Sequence, residues 1–196
     1  MAARPTSTEA RPPAGPSTRK TIYKGRKFDF EVVTFQRGGK TVEREYVRHP
    51  GAVVIVPVLD DGRIVLIRNL RFGIGPSGER LWECCAGTLE PGEEPSKCAA
   101  RELIEETGYE AKTLTPLAGG WFYTTPGMTD ERMHAFVATG LRHVGQDLED
   151  DESITVELVP AAKTLSMIES GELRDGKSIV ALLLAERKGL LRGTKK

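Results

Sequence analysis

Glu102, Glu105 and Glu106 fall within five residues of one another. On a helix turning 100° per residue they share an arc of about 100°. Carboxylates crowded in this way repel, by a few tenths of a kcal/mol per neighbouring pair on an exposed helix. Arg101 can neutralise part of that charge, and a hard divalent cation bound through carboxylate oxygens would neutralise the rest. The plainer alternative is a solvated acidic face with ordinary salt bridges, the usual fate of a charge run. A second acidic stretch, Asp147 to Ser153, carries five acids and admits the same two readings, a functional loop or a solvated turn.

The elements that must position these groups can be read from local signals. Pro95 suits the first turn of a helix and Gly108 the residue just past its end, so a helix is expected from Pro95 to Thr107. Its Ala99, Ala100, Leu103 and Ile104 adjoin the acidic sector and can pack on a sheet. Strands are expected at Phe28 to Gln36 and Thr41 to Val47, joined at Gly38-Gly39 as a hairpin. A second hairpin is expected from Ala52 to Leu59 and Arg63 to Arg68 across Asp60-Asp61-Gly62; its first run is apolar throughout, which implies burial on both faces. Residues 73–80 read as a loop, Leu81 to Ala86 as a short strand, and further strands lie near Leu114 to Tyr123, Met133 to Thr139 and Ile154 to Val159. Helices near Ala161 to Ser170 and Lys177 to Lys188 close the chain. Interleaved strands and helices with frequent hairpins imply an α/β fold with a mixed sheet covered by helices.

The loop before the acidic helix adds information. Gly87, Glu93, Arg101, Glu102, Leu103, Glu105, Glu106 and Gly108 fit the pattern G-x5-E-x7-R-E-U-x-E-E-x-G-U, where U is a bulky apolar residue; Tyr109 stands where the last aliphatic is usual. Seven fixed identities have a chance probability on the order of 10⁻⁸ per starting point at typical residue frequencies. This segment resembles the Nudix box, and the chain is identified as a member of the Nudix hydrolases. The resemblance implies an α/β/α sandwich around a mixed sheet with an N-terminal β extension. It implies magnesium, with manganese as a substitute, bound by Glu102, Glu105 and Glu106, by the carbonyl of Ala86, and by Glu152. Glu93 and Arg101 would pair to hold the loop on the helix, and Gly87 would let the backbone turn sharply.

Leu81 to Gly87 is similar to the W-E-x-P-A-G strand of the ADP-ribose and nucleoside-diphosphate-sugar pyrophosphatase branch, with Cys85 in place of the proline. Tyr123 to Glu131 and Leu173 to Leu182 are similar to further segments of that branch. The activity this implies is hydrolysis of the pyrophosphate bond of ADP-ribose or a related sugar nucleotide, giving a nucleoside monophosphate and a sugar phosphate. GDP-mannose, ADP-glucose and other sugar nucleotides remain alternatives, as does a non-catalytic module that senses a nucleotide. Glu105, Glu106, Glu152 and Asp150 are the catalytic candidates, with Asp150 and Glu152 supplying the base or an extra metal ligand. Arg71, Glu83 and Pro126 are the substrate-binding candidates, and surface salt bridging is the alternative for Arg71. Trp121, Phe122 and Tyr123 could stack a base or pack in the core. A homodimer is implied, with the Phe28 to Val47 hairpin packing across it. The expected organisation is a tail at 1–20, a hairpin extension at 21–48 and the hydrolase domain at 49–192.

Composition narrows the remaining classes. Lys plus Arg and Asp plus Glu both number 28, so no net charge draws the chain to nucleic acid or an anionic membrane. The longest apolar run, Ala52 to Leu59, is too short to span a bilayer. The first 20 residues lack the apolar stretch of a secretory signal, and their prolines break any amphipathic helix. Three cysteines, two of them adjacent, form neither a disulfide framework nor a zinc site, and reduced thiols in the cytoplasm are expected. His49, His134 and His143 have no metal-ligand spacing.

Overall fold

A computed structural model describes residues 17–148 and 152–193. The described chain forms two units, one from residues up to His49 together with Gly127–Asp130, the other from Pro50–Pro126 and from Glu131 onward.

The first unit is a three-stranded antiparallel sheet of β1 (Thr18–Lys24), β2 (Asp29–Arg37) and β3 (Lys40–Arg48), in that order. The expected hairpin is β2–β3, turning at Gly38-Gly39, both with positive φ. β1 is an addition to it. It begins at Thr18, inside the stretch expected to be tail, and the rest of that stretch, residues 1–16, lies outside the described residues. Ile22, Tyr23, Phe28 and Phe30 are exposed on this unit. Met128 accepts a 2.9 Å hydrogen bond from the Val47 amide and Asp130 one of the same length from His49, which ties 127–130 to the end of β3.

The second unit starts with β4 (Ala52–Pro57), buried along its whole length as its apolar run required. A tight turn at Gly62 leads into β5 (Arg63–Arg71), but the expected hairpin reduces to a single bridge, Val58 to Ile64. β4 is a central strand with partners on both edges, so β5 diverges into a different sheet. The strand expected over Leu81 to Ala86 likewise divides. β6 (Glu79–Glu83) pairs with β5, and after Cys84-Cys85 the chain crosses to pair with β4 as β7 (Ala86–Thr88). Then come α1 (Pro95–Thr107), β8 (Tyr109–Pro116), a single 3-10 turn (Ala118–Gly120), β9 (Phe122–Tyr123) and β10 (Arg132–His143). The long strand expected near Leu114 to Tyr123 is broken at that turn, where Ala118, Gly119 and Gly120 all adopt positive φ. β11 (Ile154–Pro160), α2 (Ala161–Glu169) and α3 (Gly176–Arg187) complete the unit.

The result is a mixed five-stranded sheet, ordered β7-β4-β10-β8 with β9 on β10, and an antiparallel three-stranded sheet, β11-β5-β6. In the mixed sheet β4 and β10 run parallel and the other pairs antiparallel. Alternation along β4 sends Val53 and Ile55 to a core with Cys98, Ala99 and Leu103 of α1. Ala52, Val54 and Val56 face a core with Ile64, Leu66, Met167 and Ala181, Leu182 and Ala185 of α3. Helices therefore cover both faces of the mixed sheet, as expected. Among the described residues no helix is long and apolar enough to cross a membrane.

Candidate active site

α1 has the bounds its sequence signals set. Pro95 opens it, and Gly108 closes it at φ 72°, returning its amide to the Ile104 carbonyl at 2.8 Å. Cys98, Ala99 and Leu103 lock one face onto β4. The acidic sector is not the solvated face its charge suggested. Glu106 is 3% exposed and Glu102 9%, and Glu105 alone of the three sits at the rim. Both buried side chains end on β7. The Ala86 amide donates to Glu106 Oε2 at 2.8 Å. The Glu102 carboxyl lies against Gly87, where a Cβ would come within 1.8–2.4 Å of its atoms. Gly87 is thus required for close approach, not for a turn, since its φ is outside the left-handed region.

Arg101 binds three of the carboxylates. It donates twice to Glu93 at 3.1 Å, once to Glu102 at 2.7 Å and once to Glu105 at 2.9 Å. Glu93 also accepts from the Glu90 amide, so the expected pairing of Glu93 with Arg101 does fasten the loop to the helix. The Arg101 hydrogen bonds hold the Glu93 carboxyl down at about 2. Burial drives Glu106 the other way, up to about 8, with added repulsion from Glu102 and Glu152. Glu102 is also raised by burial, with Arg101 opposing.

Two buried, mutually repelling carboxylates are the donor set of a hard cation, which would reverse these shifts. Among the described residues no three His, Cys, Asp or Glu side chains converge into a ready cage. A pair of carboxylates finished by water and phosphate oxygens is the coordination magnesium favours. Glu152 is half-buried, and its charge adds to the repulsion on both Glu102 and Glu106. The beginning of the acidic loop is fastened to the end of α1: Gln146 donates to the Glu106 carbonyl at 2.6 Å, and the Asp147 amide to the Glu105 carbonyl at 3.1 Å. Asp150 lies outside the described residues.

Beside Glu106 is a second charged group. Arg71 forks onto Glu83 at 2.7 and 2.6 Å, and Lys177 donates to the same carboxylate at 2.5 Å. Lys177 also pairs with Asp175 at 3.0 Å. Burial opposes the charge on Glu83, but Arg71 and Lys177 outweigh it and keep the carboxyl below its ordinary range. Burial likewise opposes the Lys177 charge, and Asp175 and Glu83 outweigh it. The structure thus joins Arg71 to Glu83 and turns the guanidinium fork onto that carboxylate. Pro126 follows directly on Thr124 and Thr125, which line a cleft of about 380 Å³ with Phe122, Tyr123, Glu131 and Lys177. Trp121 and Tyr123 are exposed and stacked edge-on at 4.9 Å, so core packing holds for Phe122 only.

Lys177 and Asp175 were not singled out from the sequence, although a signal exists. Asp175 caps α3 by accepting from the Ser178 amide, so Lys177 sits in the first turn, where the helix dipole disfavours a cation. A lysine there needs acidic partners, and it has two. The three cysteines are free and buried, with Cys84 pushed up to about 12 by desolvation.

The NUDIX domain family profile matches residues 48–182. The chain is 38% identical over 180 residues to an ADP-ribose pyrophosphatase of Bacillus subtilis (strain 168), covering 90% of this chain and 95% of that protein. It is 32% identical over 181 residues to a GDP-mannose pyrophosphatase of Klebsiella pneumoniae, covering 89% and 87%. Among solved structures, an ADP compounds hydrolase superposes with a TM-score of 0.72 at 26% identity, covering 92% of this chain and 97% of the other.

Proposed function

The chain belongs to the NUDIX domain family, and on that premise we propose that it hydrolyses the pyrophosphate bond of ADP-ribose or a related nucleoside diphosphate sugar. The products are a nucleoside monophosphate and a sugar phosphate. Members of this family generally need divalent metal ions. Here magnesium is the proposed ion, with manganese a substitute. The observation that carries the reading is the pair of buried carboxylates, Glu102 and Glu106, seated on Ala86 and Gly87.

The geometry and the family resemblance together support a division of labour. Glu102 and Glu106 would hold the cation, with the rim carboxylate of Glu105 beside them and the Ala86 carbonyl as a further oxygen. When bound, the cation neutralises pyrophosphate charge and acidifies water. Arg101 neutralises part of the charge on Glu102 and Glu105 and fixes the loop through Glu93. Glu152, or Asp150 in the same loop, takes the proton from the attacking water, because carboxylates engaged with a cation are weakened as bases. The cleft at Phe122–Thr125 receives the nucleoside or the sugar, with Trp121 and Tyr123 exposed for stacking. Arg71 and Glu83 form one wall unit, in which the exposed part of the Arg71 side chain faces phosphate. The exposed apolar residues of the first unit, Ile22, Tyr23, Phe28, Phe30 and Met128, suit a homodimer contact, and three buried free thiols suit a reducing, cytoplasmic compartment.

A panel of sugar nucleotides assayed with magnesium tests this reading. The expected leading substrate is ADP-ribose, giving AMP and ribose 5-phosphate; GDP-mannose is the second candidate, because a relative of similar coverage bears that name. Failure to cleave any member of the panel would refute the proposal.

A further inference from the structure

Glu152 is followed by Ser153, and Ser153 is clamped by an arginine from another strand. Arg80 on β6 donates from Nη1 to the Ser153 carbonyl at 3.1 Å and from Nη2 to its hydroxyl at 2.7 Å. The Leu70 amide reaches the same carbonyl at 3.3 Å, and the next residue, Ile154, begins β11 in register with Asn69. Arg80 is itself braced. Its Nη1 also donates to the Arg68 carbonyl, Arg68 Nη2 returns a bond to the Arg80 carbonyl, both at 3.3 Å, and the Arg68 guanidinium stacks on Trp82 at 4.7 Å. Among the described residues neither arginine forms a salt bridge with a carboxylate.

This is an unusual use of an exposed arginine. Hydrogen bonds at the surface contribute little to folding, so the arrangement is poorly explained by stability. A planar fork that holds two acceptors of one residue is well suited to fixing direction. The residue it fixes adjoins Glu152, whose charge acts on both Glu102 and Glu106. We propose that Arg80 is a positioning residue: by clamping Ser153 it aims the Glu152 carboxylate at the helix acids. The inference rests on the reading of Glu152 as the acid that serves the attacking water. Arg80 touches no substrate in this account, so its loss should alter turnover and not affinity.

The test compares Glu152→Gln, Arg80→Ala, Arg80→Lys and the Arg80→Ala/Glu152→Gln double variant on the sugar nucleotide that the wild type cleaves best. Arg80→Ala should lower kcat about tenfold or more with KM within about twofold. Arg80→Lys should recover part of the loss, because an ammonium can serve one of the two acceptors. The double variant should fall no lower than Glu152→Gln alone. Without substrate or metal, amide exchange in a peptide covering 147–158 should quicken in Arg80→Ala while the peptide covering 95–107 is unchanged. If Glu152→Gln lowers kcat and Arg80→Ala does not, the clamp is idle and the proposal falls while the function stands. Additive losses in the double variant, or unchanged exchange, would equally overturn it. Normal turnover in Glu152→Gln would remove the acid that Arg80 is held to aim, and the proposal with it.

Discussion

Glu106→Gln in metal-free protein isolates the energetic consequence of burying a carboxylate. Burial raises Glu106 from an ordinary 4.5 to about 8. Between those values the unfolded chain has released its proton and the folded chain has not, so the unfolded state binds fewer protons and stability falls as pH rises. The contribution is fully present below 4.5, is lost progressively, and is gone above about 8. At about 1.4 kcal/mol per pKa unit the loss is on the order of 5 kcal/mol. For a chain of 196 residues each kcal/mol shifts Tm by roughly 2–4 °C, so the effect spans roughly 10–20 °C. Glutamine keeps the shape and cannot ionise. The measurement is Tm against pH from 5 to 9 in EDTA for both proteins. The wild type should fall relative to the variant across that range, and saturating magnesium should remove the difference in slope, because the cation holds the carboxylate ionised. Parallel curves in EDTA would show that Glu106 is not buried as described, and the reasoning from its environment would fail.

Three further outcomes are expected. Gly87→Ala should push the Glu102 carboxyl aside, because that flexible end is what the new Cβ meets; the fold should survive, and apparent magnesium affinity should weaken roughly 10- to 100-fold in a titration of activity against magnesium. Glu152→Gln should lower kcat by about 10²-fold or more with a small change in KM, Glu149→Gln should do little, and Asp150→Asn shows which acid of the loop serves as base; near-normal kcat in all three would reduce the loop to a solvated turn. Sedimentation at micromolar concentration should give a dimer, lost on deletion of residues 1 to 48; a monomeric intact protein would refute the dimer, and a dimer surviving the deletion would locate the contact elsewhere.

What was legible in the sequence was what local chemistry decides. Pro95 and Gly108 fix the ends of α1 by backbone geometry alone, and the apolar run of β4 implies burial on both faces whatever its neighbours are. The clustering of the acids follows from type and spacing, and the pairing of Glu93 with Arg101 from the resemblance to the Nudix box. The burial of Glu102 and Glu106 was not legible, because it depends on β7 leaving the sheet of β6 to pass beneath α1, and nothing local in Cys84-Cys85 announces that crossing. The same long-range pairing explains why Gly87 looked like a turn glycine. Gly62 does mark a turn, but whether the strands on either side stay paired depends on which other strands take their edges. Lys177 was legible in principle, as a cation in the first turn of a helix, but only once Asp175 was recognised as the cap.

Glu102 and Glu106 are proposed as the metal-holding floor of a pyrophosphohydrolase. The most direct measurement is the magnesium dependence of ADP-ribose cleavage by the wild type and by Glu106→Gln, following AMP and ribose 5-phosphate. The wild type should release both products only with a divalent ion, and the variant should lose turnover by orders of magnitude while its Tm is unchanged or higher. Wild-type turnover in Glu106→Gln at saturating magnesium would contradict the account.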